Sequence, residues 1–376
     1  MHRYDTSEWQ IMMAQGSWIS ANKMPVSIKD IARLAGVSHS TVSRALRNSP
    51  LIPAATAERI QRIANETGYR ASAVARSLVT RRTQTVGVVV TSIADPFNGE
   101  VFAGIEELAN QHGYAVVLAN SQGNAEREVA VVRALQEQRI DGVLVASSRV
   151  GALYMPLLSQ LQIPIVLINN HHPSEFVHSV AIDNVDGAYR AVQHLIELGH
   201  RDIAYVGDRF GLESDADREA GYRKALRGAK LSPRRGFVIP GDGKPEGGMA
   251  AARKLLALAS RPTAVFCYND MTALGVLREA TERGLRLPEE LSVVGFDDLF
   301  FAPLLNPPLT TIHQPRNEIG RMAMRLLFAL LGEKPAEKTI RIKGELVVRG
   351  STTRPAALTS RSERGRIQPP DLRNKA

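Results

Sequence analysis

The spacing of apolar residues along the chain changes character near residue 82. Before that point they recur every three or four positions: Ile28, Ile31, Ala32 and Ala35; then Val42, Ala45 and Leu46 beside Thr41; then Ile60, Ile63 and Ala64. This is the period of short amphipathic helices. Ser27 and Ser38 stand where N-caps belong, Gly36 breaks the first helix, and Gly68 stops a third one predicted over 54–67. Two helices joined by a tight turn at 35–37 predict a helix-turn-helix. Beyond residue 82 short apolar runs alternate with longer amphipathic stretches. Strands are predicted at 86–91, 115–119, 142–146, 164–168, 202–207, 236–239, 263–267 and 292–296. Helices are predicted near 98–112, 125–138, 152–161, 185–198, 217–229, 246–259, 271–283 and 315–331. Such alternation makes parallel sheets with helices on both faces. Eight or nine strands between 83 and 353 fit two sheets better than one, with a ligand cleft between them at the carboxyl ends of the strands.

Composition narrows the class. The chain has 376 residues, of which 44% are hydrophobic and 23% charged, so it is long enough for two or three units and is not disordered throughout. Its most apolar stretches, 86–90 and 163–168, are strand-length, which argues against a membrane-spanning protein. The single Cys267 makes no internal disulfide, and residues 1–23 lack the pattern of a signal peptide, so a cytoplasmic location is expected. The net charge of +9 is uneven. From Met24 to Arg82 there are ten Lys/Arg against three acids, and from Arg354 to Ala376 six against two, while 1–23 balance and 83–353 are slightly acidic. A basic head on a nearly neutral body points to a polyanion at one end. The blander reading is a solvated basic face without a partner, and the motifs decide between the two.

Residues 27–46, SIKDIARLAGVSHSTVSRAL, resemble the head of the LacI/GalR (lactose repressor) family of bacterial transcription regulators. The resemblance runs on through ETGY at 66–69, ADPF at 94–97, QRIDG at 138–142, HLIELGHR at 194–201, REAGY at 218–222, NDMTALG at 269–275, SVVGFDD at 292–298 and PLTT at 308–311. It implies a small all-α helix-turn-helix head and an α/β core of two doubly wound parallel-sheet lobes, similar to a periplasmic sugar-binding protein. The implied organisation is an extension at 1–23, a DNA-binding head at 24–70, a hinge helix and linker at 71–82, an effector and dimerisation core at 83–353, and a disordered basic tail at 354–376. Met24, just ahead of the family-like start, is a candidate initiator.

The same match assigns roles. Arg44 suits the O6 and N7 of guanine through its fork of donors, while His39 and Ser40 stand where family members vary their operator preference. Thr41, Ser43, Ser38 and the start of the first helix, Ser27 and Lys29, suit phosphate oxygens. Ser72 can cap a hinge helix in which Leu78 falls at the family's minor-groove wedge. The sequence departs from the family pattern at Ala71-Ser72, before the hinge, and at Pro53, where a serine usually caps the third helix. In the core, Asn269 and Asp297 suit ligand hydroxyls and Arg218 an oxygen-rich face or a carboxylate. Asn169 stands where sugar-binding relatives often carry an acid. Asp95 and Phe97 are placed to close one wall. The structural alternative for each is capping or hydrogen bonding between lobes. Both tryptophans lie in 1–23, so no indole platform is available in the core.

The function implied is an effector-responsive repressor of carbohydrate genes, homodimeric on double-stranded, pseudo-palindromic operator DNA, with a small polar effector, a sugar or sugar derivative. The competing functions are a periplasmic-type receptor, which the core alone would support, and an α/β enzyme. The basic helix-turn-helix argues against the first. The absence of a Gly-x-Ser-x-Gly elbow argues against the second. The glycine-rich 241–247 lacks phosphate-loop spacing and is read as a loop, and His171, His172 and His178 have no acid or cysteine to complete a metal set. No cofactor or metal is expected.

Overall fold

The computed structural model describes residues 26–69, 82–146, 163–170, 178–332, 334–335 and 337–356. Outside them lie the extension 1–23, the hinge with Ser72 and Leu78, the helix expected at 152–161, His171, His172 and the tail from 357. The chain divides into two compact units, Met1–Arg81 and Arg82–Ala376.

In the first unit α1 (Ile28–Ala35), α2 (His39–Ala45) and α3 (Ala54–Glu66) follow the apolar spacing closely. Ser27 and Asp30 form a reciprocal capping box at the start of α1. Gly36, at φ 62°, makes the left-handed turn before α2, and the Ser38 hydroxyl accepts the Thr41 N–H at 3.2 Å. Pro53 supplies no side-chain cap, yet α3 begins directly after it. Tertiary packing substitutes for the missing cap, because Ile60 is fully buried against Ile31 and Val42. Gln61 also donates to the Asn48 side chain at 2.9 Å, tying α3 to the turn after α2.

The second unit holds two parallel sheets. The first comprises β1 (Thr85–Val90), β2 (Ala115–Asn120), β3 (Gly142–Ala146), β4 (Ile165–Ile168), β5 (Ser179–Ile182) and β11 (Thr339–Ile342), in the order β11-β5-β4-β3-β1-β2. Alternate residues serve opposite faces. Val88 and Val90 of β1 pack with α4 (Pro96–Gln111) and α10 (Arg316–Leu331), whereas Val89 packs with α5 (Ala125–Glu137). The second sheet has the order β7-β6-β8-β9, from β6 (Ile203–Asp208), β7 (Val238–Gly241), β8 (Ala264–Cys267) and β9 (Ser292–Val294). Here α6 (Asn184–Glu197) and α7 (Glu213–Gly228) cover one face, and α8 (Pro245–Leu256) and α9 (Asp270–Glu282) the other. A short antiparallel pair, β10 (Thr311–His313) with β12 (Glu345–Val347), completes the described elements.

The chain passes between the lobes three times. It leaves the first sheet after β5 for α6, returns from β10 to α10, and crosses again from β11 to β12. The sequence missed β5, β10, β11 and β12. They are three or four residues long and sit at these crossings; β10, β11 and β12 are partly exposed, which blurs the apolar pattern, whereas β5 is buried and is simply short. The 241–247 stretch also differs from expectation: Gly241 closes β7, and Pro245 already opens α8.

Glycines set how closely paired helices approach. A Cβ at Gly104 of α4 would lie 2.0 Å from the Asn317 carbonyl oxygen, and one at Gly320 of α10 only 2.1 Å from that of Val101. The α8–α9 pair repeats the arrangement, a Cβ at Gly275 falling 2.0 Å from the Pro245 oxygen. Gly275→Ala should therefore cost about 1–3 kcal/mol through forced separation of α8 and α9. Gly228→Ala, with nothing within 4 Å at the end of α7, should be neutral or stabilise by up to about 1 kcal/mol. Urea unfolding of the two variants separates them, and equal midpoints would contradict this packing account.

Candidate functional site

The first unit presents a polar helix face. His39, Ser40 and Arg44 of α2 are exposed, with Ser27 and Lys29 also exposed at the start of α1. Among the described residues no side chain holds Arg44, so its fork of donors points out from a helix whose other side, Val42 and Ala45, is buried. Ser43 differs. Its hydroxyl accepts from the Arg47 guanidinium at 3.0 Å, and its carbonyl accepts from Arg47 Nε at 3.0 Å, so it orients Arg47. Arg47, exposed just past the end of α2, is a cation to which the sequence assigned no site role. The Ser38 hydroxyl is shared with Ser40 and Thr41, at 2.8 and 2.9 Å.

The second unit has a cleft of about 1040 Å³. Its walls are the residues just past the carboxyl ends of parallel strands: Thr91 and Ser92 after β1, Asn120 of β2, Asn169 after β4, Asp208 of β6, Asp242 after β7, Tyr268 and Asn269 after β8, and Asp297 beyond β9. This is where open parallel sheets take ligands. All six core residues expected from the sequence, Asp95, Phe97, Asn169, Arg218, Asn269 and Asp297, line it.

Their individual geometry is more structural than expected. Arg218, 3% exposed, donates from Nε to Asn184 at 2.9 Å and from Nη1 to the Tyr268 carbonyl at 2.5 Å, and its Nη2 lies 3.8 Å from Asp297 Oδ1. Its guanidinium carbon also sits 3.8 Å from the Phe296 ring centre and 4.7 Å from that of Tyr268. A cation so engaged is an internal brace. Asn269 caps α9, accepting the Thr272 N–H at 2.8 Å, and donates to the Gly243 carbonyl at 3.0 Å. Asp95 caps α4 through the Phe97 N–H at 3.0 Å, and burial raises its pKa above the ordinary carboxylate range. Phe97 is 5% exposed and belongs to the first-lobe core as well as the wall.

Asp297 gathers the crossings together. It is 5% exposed with φ at 120°, a conformation that costs of order 1–3 kcal/mol for a residue with a side chain. Gln314 donates to its Oδ1 at 2.6 Å, and the Gln314 carbonyl group of the side chain accepts from Asn169 at 3.4 Å. The Asp297 backbone carbonyl accepts from Arg316, which is also held in a fork by Glu100 of α4 at 2.9 and 3.1 Å. Burial drives the Asp297 pKa upward, with Arg218 and Arg316 opposing and Asp270 and Asp95 adding to the rise. Gln314, Arg316, Glu100, Asn184 and Tyr268 were missed in the sequence. The spacing TTIHQPR after the second lobe marks a crossing only once the topology is known.

Asp270 lies beneath this group, fully buried, accepting from the Thr311 hydroxyl at 2.6 Å and the Leu299 N–H at 2.7 Å. Burial outweighs those bonds and raises its pKa to about 7. The folded state therefore holds a proton that the unfolded chain, with a value near 3.8, has released. The stability associated with that proton is full below the unfolded value and is lost as pH rises through about 7. Urea midpoints should accordingly fall between about pH 5 and 8, and the fall should shrink in Asp270→Asn. An unchanged slope in that variant would assign the pH dependence elsewhere.

Residues 27–72 match the model of bacterial regulatory proteins of the lacI family, and 192–352 the periplasmic binding protein-like domain. The HTH-type transcriptional repressor PurR of Vibrio atlanticus is 36% identical over 315 residues, covering 84% of this chain and 94% of that protein. The crystal structure of the Lac repressor dimer bound to operator and the anti-inducer ONPF aligns with a TM-score of 0.81 at 28% identity, over 88% of this chain and 99% of that one. A complex of the transcriptional regulator CelR with cellobiose aligns at 0.67 with 34% identity, over 87% of this chain and all of that one. No helix among the described residues is long and apolar enough to cross a membrane.

Proposed function

This chain belongs to the lacI family of bacterial regulatory proteins and is a DNA-binding transcriptional repressor, and from that premise we propose that it represses carbohydrate uptake or metabolism genes as a homodimer under the control of a sugar or sugar derivative. The observation that carries the effector class is the lining of the cleft. Thr91, Ser92, Asn120, Gln122, Asn124, Asn169 and Ser214 offer hydroxyl and amide groups from both lobes. Groups of that kind match the alternating donors and acceptors of a polyol, and Phe97, Phe210 and Tyr268 supply apolar faces for its C–H side. The cellobiose bound by the CelR relative supports the same class.

Homodimerisation is supported by apolar side chains left on the surface of the second unit. Val117 and Leu118 are each 36% exposed on β2, the edge strand of its sheet. Ile93, Phe300 and Leu304 are exposed by more than half. A long apolar edge strand is a surface that proteins cover. A two-fold pair of heads then reads two half-sites of a pseudo-palindromic operator.

In this reading Arg44 reads a base and Lys29 a phosphate. Arg44→Ala should weaken the cognate operator by about 1–3 kcal/mol and relax one base position. Lys29→Ala should weaken all sequences alike and lower the salt dependence by about one charge. Fluorescence anisotropy across salt concentrations distinguishes the two, and unchanged operator affinity for Arg44→Ala would remove its reading role.

The effector response is tested separately. Asp297→Ala should still bind operator yet lose its response to sugars, because the variant removes the carboxyl that Gln314 and Arg218 meet at the floor of the cleft. Titrating the operator complex with pentoses, hexoses and disaccharides, with purine and pyrimidine bases as the competing class of flat ligands, identifies the responsive chemistry. A response to bases alone would overturn the sugar assignment, and a wild-type response by Asp297→Ala would take Asp297 out of the effector site.

A further inference from the structure

We infer that Arg47 is a DNA-contacting residue aimed at a backbone phosphate, and that Ser43 is the residue that positions it; the inference rests on the DNA-binding assignment and is independent of the effector class. At about 3.6 residues per turn, positions 39, 40, 43, 44 and 47 share one side of α2 and its continuation, opposite the buried Val42 and Ala45. Leu46 keeps right-handed backbone angles, φ −66° and ψ −15°, so Arg47 lies one turn beyond Ser43 although α2 itself stops at Ala45. Arg47 is exposed there, on the side that also carries the exposed His39, Ser40 and Arg44.

The way the helix ends explains how the side chain is held. The Arg47 N–H turns to the Arg44 carbonyl at 3.1 Å rather than to that of Ser43. Arg47 Nε takes up the Ser43 carbonyl in its place at 3.0 Å, and Nη2 donates to the Ser43 hydroxyl, also at 3.0 Å. Both acceptors are neutral. Arg33 of α1 lies against the Asp30 carboxylate, whereas among the described residues no carboxylate pairs with Arg47. The guanidinium is therefore ordered before DNA arrives and keeps its whole charge, with Nη1 and one N–H of Nη2 still able to donate. Folding back along its own helix also shortens its reach. A recognition helix reads bases mainly from its N-terminal residues. A short-reaching cation at the opposite end meets the wall of the groove, where the phosphates lie and where contacts position the protein without reading sequence.

Fluorescence anisotropy on the full chain tests this, using an operator selected from a random duplex pool and a scrambled duplex of the same composition, each at salt concentrations from about 50 to 200 mM. Arg47→Gln can still donate to the Ser43 carbonyl but carries no charge. It should weaken both duplexes by a common factor of about three to ten and lower the salt slope by about one per head. Arg47→Lys, which cannot bridge both Ser43 acceptors but keeps the charge, should restore the slope and so controls for lost capping. Ser43→Ala should weaken binding about two- to fivefold in the wild-type background and no further in the Arg47→Gln background. Wild-type affinity and slope in Arg47→Gln would reduce Arg47 to a helix cap and overturn the inference. A loss confined to the selected operator would make it a base reader and overturn the phosphate contact. Equal losses from Ser43→Ala in both backgrounds would show that Ser43 meets DNA by itself, and the positioning role would fall.

Discussion

The second unit depends on how one buried carboxyl is accommodated. Asp297 sits where the chain leaves the second sheet, in a backbone conformation that resists a side chain, with too little solvent to carry a bare charge. Its partners come from every part of the crossing: Gln314 from the segment between β10 and α10, Arg316 as the first residue of α10, and Arg218 from α7. Through Gln314 it reaches Asn169 at the end of β4, and through Arg316 it reaches Glu100 of α4. Removing one partner of such a group leaves the others unpaired in a low dielectric, so the lobes share a floor whose hydrogen bonds must be remade together. That is the property of an element with discrete arrangements, and a ligand lying on the floor is able to select between them.

The rest of the cleft follows from ordinary parallel-sheet geometry. Strand ends and helix starts converge there, and the caps that stabilise the helices are the same side chains that form the walls. Asn269 illustrates the economy: one amide holds the start of α9 and the loop before α8 and still lines the cleft. The head is built on a separate principle. Its small core of Ile31, Val42 and Ile60 fixes α2 so that His39, Ser40 and Arg44, and Arg47 just after it, all remain on the surface. A rigid face of short polar residues and guanidinium groups is what reading a duplex requires.

The legibility of this chain in its sequence followed the strength of each local signal. Ser27, Gly36 and Ser38 are caps and breaks with a direct mechanism, and the helices they bound begin and end within a residue or so of expectation. Long buried strands such as Val86 to Val90 were equally plain. By contrast β11, with Ile340 and Ile342 alternating against Thr339 and Arg341, carried a period-two signal too short to stand out from a loop at the edge of its sheet. The site was legible as a set of positions and not as a set of roles. Motif spacing located Arg218 and Asn269, yet only the fold shows that Arg218 is braced from five directions and that Asn269 is a cap. Gln314, Arg316 and Glu100 gave no signal at all, because their meeting depends on a separation of more than 200 residues between α4 and α10.

The central claim is that occupancy of the cleft and grip on the operator are two readouts of one equilibrium. Thermodynamic linkage then makes them reciprocal: the factor by which effector changes operator affinity must equal the factor by which operator changes effector affinity, typically about 5- to 150-fold. Measuring both arms on the full chain, operator by anisotropy with and without saturating sugar and sugar by calorimetry with and without saturating operator, tests this directly. The account predicts a single factor well away from one in both arms. A sugar that binds the cleft with the same affinity whether or not the operator is bound would contradict it.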